Sequence, residues 1–185
     1  MQKLVIFLII STLIGCTGLR TNIHEASGDA AKPSTNINSK VVDTNNAIYE
    51  VQVADGVSYQ DVVDSLKSVS EGMNFVNPAN FPIGDHMKLR GVDPQGVKEV
   101  HSFCNLSMGT EIILDHPEFL VFAPCRIALY EKLDADKKLK LFIGLARPTY
   151  DLKSIKNPTE RAQKSAQQLE DALIKLVDKA RRGDF

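Results

Sequence analysis

Two cysteines and the arginine that follows one of them are the residues of this chain with the clearest capacity for chemistry. Cys104 and Cys125 are separated by 20 residues, and Arg126 directly follows the second cysteine. In an oxidising compartment such a pair forms a disulfide, and closing a loop of this length contributes about 3 kcal/mol in the chain-entropy model. The same thiols could instead exchange disulfides or bind soft copper or a haem-type cofactor. A structural disulfide, a thiol site and two unpaired buried cysteines therefore stay open as alternatives.

The other polar residues near the cysteines give weaker patterns. His101 and His116 would complete a four-ligand metal set with the two cysteines, but residues three apart on a strand point to opposite faces, which separates His101 from Cys104. Arg126 could hold an anionic ligand, although helix capping or an ion pair is the more usual role at a strand entrance. Glu131 has no identified partner carboxylate, so we expect it on a solvated strand face. The identity of any metal or cofactor stays unknown.

Neither motifs nor charge point to catalysis or to nucleic acid. The chain has no G-x-S-x-G elbow, no phosphate-binding glycine loop and no H-E-x-x-H motif. Its 22 Lys and Arg residues are interspersed with 23 Asp and Glu residues, whereas phosphate binding leaves a clustered basic footprint. The sequence therefore lends no support to an enzyme and predicts no nucleic-acid partner.

A third cysteine, Cys16, closes a short hydrophobic segment at the N-terminus. Lys3 supplies a positive start, and the apolar run at 4–10 is too short to span a bilayer. A small residue directly before Cys16 resembles the bacterial lipobox, which implies removal of residues 1–15 and acylation of the cysteine. More than one acyl chain gives stable anchoring in a bilayer. Thr17, in place of Asp, implies the outer membrane, facing the periplasm, by the sorting rule for bacterial lipoproteins.

The remaining chain divides into a tether and one domain. Residues from 17 to 46 lack apolar periodicity and are rich in Ser, Thr and Asn, a composition typical of a flexible linker. With the lipidated cysteine, this predicts a tether over 16–46. Residues 47–185 have the usual size of a single domain.

Periodicity and capping signals predict the elements of this domain. Ser58 and Asp61 form a capping box, and Asn157 with Pro158 predicts the start of a long C-terminal helix. In chain order, we predict a strand at 48–53, a helix from Ser58 to Gly72, a strand at 73–76, irregular chain at 79–96 with a helical turn near 85–89, a strand at 97–104, a helix at 106–114, a hairpin of strands at 126–133 and 139–145, and the C-terminal helix. This β-α-β-β-α-β-β-α order predicts an α+β fold, with an antiparallel sheet of about five strands and helices on one face.

Two short motifs resemble a known family. The segments Phe103-Cys104-Asn105 and Pro124-Cys125-Arg126, with a helix start at 58–63 and a strand at 74–76, are similar to the domain of unknown function 302 family. The resemblance covers roughly residues 47–148. It implies an α+β domain of the TATA-binding-protein-like type, does not imply DNA binding, and brings no established activity.

These patterns together favour a membrane-anchored binding module. We expect a lipoprotein of the bacterial envelope, held to the lipid bilayer through Cys16, that binds a small ligand or another envelope protein. Its sheet and the stretch at 79–96 would supply the binding surface. The alternative is a thiol-dependent redox, metal-handling or cofactor-handling protein in which Cys104 and Cys125 carry the chemistry.

Overall fold

The computed structural model describes residues 45–185. The predicted signal peptide at 1–15, the lipid attachment site at Cys16 and all but the last two residues of the predicted tether at 16–46 lie outside the described residues. Among residues 45–185, no helix is both long and apolar enough to cross a membrane.

The described residues form five strands, five α-helices and two short 3-10 segments. The strands are β1 (Ile48–Gln52), β2 (Val76–Phe81), β3 (Lys98–Cys104), β4 (Cys125–Leu133) and β5 (Leu139–Ala146). The helices are α1 (Tyr59–Gly72), α2 (Ile83–Leu89), α3 (Leu106–Ile113), α4 (Pro148–Asp151) and α5 (Glu160–Ala180), and the 3-10 segments are Pro117–Phe122 and Leu152–Ser154.

All five strands belong to one antiparallel sheet, in the order β1-β5-β4-β3-β2. A turn joins β4 to β5 as the predicted hairpin, and in it the Asp134 carboxylate accepts the N–H groups of Asp136 and Lys138. Helices α1 and α3 each pack against α5. Their apolar side chains form one core with alternate residues of the strands. The predicted α+β fold, with about five antiparallel strands and helices on one face, is confirmed.

Local signals place α1 where the sequence predicts it. Ser58 Oγ accepts the Asp61 N–H at 3.1 Å, and the Asp61 carboxylate accepts the Ser58 N–H at 2.8 Å. This reciprocal pair satisfies two backbone donors that a helix leaves free at its start, and it confirms the capping box. The helix then buries Val62, Leu66 and Val69 in the core.

Helix α5 begins two residues later than predicted. Asn157 has a left-handed φ of 51°, whereas an N-cap residue needs extended backbone. Thr159 has that backbone, with φ of −65° and ψ of 158°, and its Oγ1 accepts the Ala162 N–H. The apolar stripe of the helix is buried as expected, at Ala162, Ala166, Leu169, Leu173, Leu176 and Ala180.

The chain between α1 and β3 differs most from the prediction. Asn74 has φ of 59°, a left-handed turn just after α1, so β2 begins at Val76 and the strand predicted at 73–76 is wrong. β2 then runs through Pro78, which an edge strand with a bulge tolerates. Helix α2 confirms the helical turn predicted near 85–89, although it begins earlier, at Ile83. The sequence also missed α4 and the 3-10 segment that starts at Pro117.

A buried ion pair ties the end of β5 to α5. Arg147 is 5% exposed and Glu170 is 1% exposed. Arg147 donates from Nε and Nη2 to Glu170 Oε1 at 2.9 and 2.7 Å, while the Thr149 N–H and hydroxyl donate to Oε2. Arg147 Nη1 also donates to the carbonyl of Asn46 at 2.8 Å. Both oxygens of the buried carboxylate are therefore hydrogen-bonded, as a buried charge requires.

Candidate functional site

The two cysteines meet in one crevice at the end of the sheet. Cys104 ends β3 and Cys125 begins β4, opposite Phe103 in the strand register. Both line an apolar crevice whose other walls include Ile113, Phe119, Phe122, Pro148 and Leu169. The centres of water molecules can occupy about 40 Å³ of it, which is room for on the order of three waters. The crevice is therefore too narrow for a ring-shaped cofactor.

Both cysteines are free thiols in this structure. Burial raises the pKa of the Cys125 thiol to about 12, and the neighbouring Cys104 adds to the rise. Burial also raises the pKa of Cys104. A reactive or metal-binding cysteine needs the thiolate form, which a lowered pKa provides. The crevice therefore holds protonated thiols near neutral pH.

Arg126 lies at the crevice without a partner of its own. Its side chain is exposed, and within residues 45–185 it makes no hydrogen bond or ion pair. The expected capping or ion-pair role is therefore wrong for the described part of the chain. Asp151 lines the same crevice; burial raises the pKa of its carboxyl group, and the charge of Arg126 opposes that rise. The guanidinium stays available to an anion.

The two histidines do not join the cysteines. His116 Nε2 accepts the Thr159 N–H at 3.0 Å and so holds the start of α5. His101 is buried beside Phe103, with ring centroids 6.5 Å apart, on the helix-covered face of β3. In the described range, no three His, Cys, Asp or Glu side chains are grouped to hold a metal ion. The four-ligand set is not assembled.

A wider cleft of about 560 Å³ borders the stretch that we expected to supply a binding surface. Residues between Pro82 and Lys98 form one side, and Tyr59, Glu99 and Glu131 complete it. Ligand pockets in proteins usually measure about 300–1,000 Å³. The cleft is therefore large enough for a small ligand.

Glu99 presents a carboxylate to this cleft between two neutral rings. The Tyr59 hydroxyl donates to Glu99 Oε2, and Glu99 Oε1 lies 3.4 Å from His101 Nε2, without hydrogen-bond geometry. Burial raises the pKa of Tyr59 to about 12, with Glu99 adding to the rise. Burial lowers the pKa of His101, against a smaller opposing effect of Glu99, so the imidazole is neutral near pH 7. Neither Tyr59 nor His101 therefore places a positive charge beside the Glu99 carboxylate.

Glu131 provides another carboxylate of the cleft, which the exposed Asp85 and Asp93 also line. Its Oε2 accepts the Val97 N–H at 2.9 Å, and its side chain lies against Gly96. Gly96 has φ of 93°, and a Cβ there would lie 2.8 Å from Glu131 Cβ, so only glycine fits without strain. Glu131 is half-buried and bonded to the backbone. The expectation of a solvated strand face is therefore wrong.

The two lysines of the cleft are bound to groups other than the Glu99 and Glu131 carboxylates. Lys88 Nζ lies 3.1 Å from the Asp85 carboxylate. Lys98 Nζ donates to the carbonyls of Gln95, Val97 and Glu131. Over residues 45–185, no lysine or arginine lies within ion-pair distance of the Glu99 or Glu131 side-chain carboxylate. Among the described residues, the cleft therefore offers three carboxylates without a lysine or arginine counter-cation, those of Glu99, Glu131 and the exposed Asp93.

Sequence reasoning missed the role of Glu99, although a signal was present. Glu99, His101 and Phe103 occupy alternate positions of β3, and the side chains of His101 and Phe103 are buried. Alternate residues of a strand face the same side of a sheet. A carboxylate at a core-facing position needs a partner, which is the mark of a constrained or functional group.

Comparisons with known proteins place the chain in a family. An uncharacterized protein of Aquifex aeolicus (strain VF5) is 34% identical over 80 residues, which cover 43% of this chain and 49% of that protein. The match thus spans about half the length of this relative. The crystal structure of the uncharacterized conserved protein DUF302 from Bacillus stearothermophilus has the same fold, with a TM-score of 0.63 at 18% identity; the match covers 72% of this chain and 98% of that one. Since the model of the family described as domain of unknown function DUF302 matches residues 49–180, most of the 185 residues, the chain belongs to the DUF302 family.

Proposed function

We propose that this chain is an envelope lipoprotein whose DUF302 domain binds a small cationic ligand in the cleft beside α2. The main support for this proposal is that Glu99 and Glu131 line the cleft and have no counter-cation among the described residues. A partly desolvated carboxylate gains most from a cation that brings charge-assisted hydrogen bonds. The wall of the cleft also contains apolar side chains, those of Pro82, Pro94 and Val97. An ammonium compound with a short hydrocarbon chain matches both features.

Binding of 1,4-diaminobutane to the lipidated, detergent-purified protein tests this proposal. We expect saturable binding in isothermal titration calorimetry, while butane-1,4-diol, which has the same chain without charge, gives none. Glu99→Gln should weaken the binding at least about tenfold, because one charge-assisted hydrogen bond contributes about 1.5–3 kcal/mol.

The matched control is Asp136→Asn, which removes one exposed carboxylate in the β4–β5 turn, away from the cleft. It should leave the affinity unchanged, and thermal melts should show that both variants are folded. Equal affinities of Glu99→Gln and the wild-type protein, or equal binding of the diol, would show that the cleft carboxylates do not bind the cation.

The lipid anchor at Cys16 rests on the N-terminal motif. An apolar run, a small residue and then Cys16 is the order that a lipoprotein peptidase recognises, and Thr17 supports the outer membrane, facing the periplasm. In cells fed labelled palmitate, we expect label on the wild-type chain, none on Cys16→Ser and full label on the control Cys104→Ser. A mature chain that begins elsewhere than Cys16, or that carries no acyl mass, would contradict the anchor.

A thiol-dependent function is the second candidate, because Cys104 and Cys125 line one crevice. Their raised pKa values favour two inert thiols or a structural disulfide over an exchanging pair. The small-ligand proposal therefore ranks first.

A further inference from the structure

One face of the sheet carries none of the described helices. Cross-strand partners in the register share a face, and Ile127, Leu129, Ile143 and Leu145 point into the core with the helices. Their neighbours in sequence point the other way. We call this second side the open face; its central residues are Val100, Ala128, Tyr130, Phe142 and Gly144.

The centre of the open face is apolar, unlike a surface made only for water. The outward positions of an exposed antiparallel strand are usually polar. Here one row across the sheet reads Phe81, Val100, Ala128 and Gly144 before it reaches Glu50 on β1. Phe81 is 49% exposed, and Val76 and Ile48 on the same face are 50% and 52% exposed. An apolar centre inside a polar rim is the anatomy of a protein interface.

Side chains on the open face are already held in place. The Tyr130 ring lies over Gly144, where an added Cβ would come within 3.1 Å of a ring carbon, and it stacks on Phe142 with centroids 6.3 Å apart. The Tyr130 hydroxyl donates to Glu50, and Lys132 pairs with the same carboxylate at 2.6 Å. A rigid aromatic surface loses little conformational entropy when it is covered.

We propose that the open face binds a second copy of this chain, sheet against sheet. The five strands, spaced about 4.8 Å apart and roughly seven residues long, make a face of roughly 550 Å² in projection. Two such faces together reach the minimum of about 1,000 Å² that a specific interface needs. A lone small ligand would cover only a fraction of this area.

The face is also suited to pair with itself. β4 is the middle strand of the five, so a twofold axis parallel to it brings the Ala128 positions of the two copies together. Ala128 has a small side chain, and the Tyr130 ring fills the space over Gly144, so two sheets can approach closely at the centre. Three rim cations have an acid nearby: Lys132 is paired with Glu50 and Lys140 with Asp55, and the charge of Arg126, at the end of β4, acts on the Asp151 carboxyl group.

Photo-crosslinking of the full-length chain in cell membranes tests the proposal. A photoreactive phenylalanine derivative at position 128 should link two copies into a species of twice the mass, identified by peptide mass spectrometry. The same group at position 114, where Leu114 is 64% exposed on the helix side, should give no such species. A link from position 128 to residues 17–44 of the same chain, a link to a different protein, or no link would each overturn the proposal.

A charge at the centre of the face gives a second test. Ala128→Glu should reduce the dimer fraction of the detergent-purified lipoprotein at least tenfold in native mass spectrometry, whereas Leu114→Glu should leave it unchanged. Position 128 is half-buried and faces away from the core, so the variant should keep the wild-type melting curve. A folded Ala128→Glu protein that dimerises like the wild type would show that the open face is not the interface.

Discussion

Replacing Glu170 with alanine is expected to lower the free energy of unfolding by about 3 to 5 kcal/mol, because the change leaves the buried guanidinium of Arg147 without its carboxylate. Arg147 is 5% exposed, so water cannot readily replace the lost partner. The N–H and hydroxyl of Thr149 lose their acceptor in the same variant. Urea unfolding of the lipidated protein in detergent, followed by circular dichroism, measures the effect.

Two further variants test whether the loss of stability comes from the ion pair and not from any change in α5. Asp171→Ala removes an exposed acid from the next position of the helix and should cost less than about 0.5 kcal/mol. The double variant Arg147→Met with Glu170→Leu should recover most of the loss, because apolar replacement of a buried ion pair is often neutral. A loss below about 1 kcal/mol for Glu170→Ala would mean that Arg147 finds another partner or becomes hydrated.

Sequence signals that act within a few residues predicted the corresponding elements well. The capping box of Ser58 and Asp61 placed α1, and the alternation of Leu139, Leu141, Ile143 and Leu145 placed β5 with its core-facing side. Both signals rest on contacts that form inside one element or across one turn. Such contacts do not depend on how the rest of the chain folds.

The errors fall where neighbours in space decide the outcome. Pro78 reads as the end of a strand, yet β2 continues through it because it lies at the edge of the sheet and bulges there. Asn157 reads as a good N-cap, but its left-handed backbone leaves that role to Thr159. The hydroxyl of Thr159 also donates to Asp115, at 2.6 Å, beyond the end of α3. That contact cannot be read from residues 157–160 alone.

The candidate site was predictable only in part. Cys104 and Cys125 were expected at strand ends, and adjacent strands bring them to one crevice. The cleft depends instead on Tyr59, Glu99 and Glu131, which belong to three separate elements. No spacing rule links residues so far apart in sequence. The alternation along β3 predicts that Glu99 faces the core. Its hydrogen-bond donor, Tyr59, can be identified only from the folded structure.

Cys125 is expected to react with iodoacetamide at pH 8 roughly a thousandfold more slowly in the folded protein than in urea, because its pKa is raised from 9.0 to about 12 and only the thiolate attacks. Intact mass measured over time follows the reaction. The Cys104→Ser variant isolates the thiol, since an acylated Cys16 carries a thioether that cannot react. Equal rates in the folded and unfolded protein would contradict the raised pKa.

The same measurement on wild-type protein, purified without reductant, separates the alternatives for the cysteine pair. A redox-active pair must present a thiolate to attack a disulfide, so fast alkylation of the folded protein would favour exchange chemistry. A structural disulfide has no such need: it would appear as a mass two units lower with no thiol to titrate even in urea. Slow alkylation with two thiols recovered in urea would instead make the cysteines part of the apolar wall beside Phe119 and Leu169. Ligand chemistry would then have to come from Arg126 or from the carboxylates of the cleft.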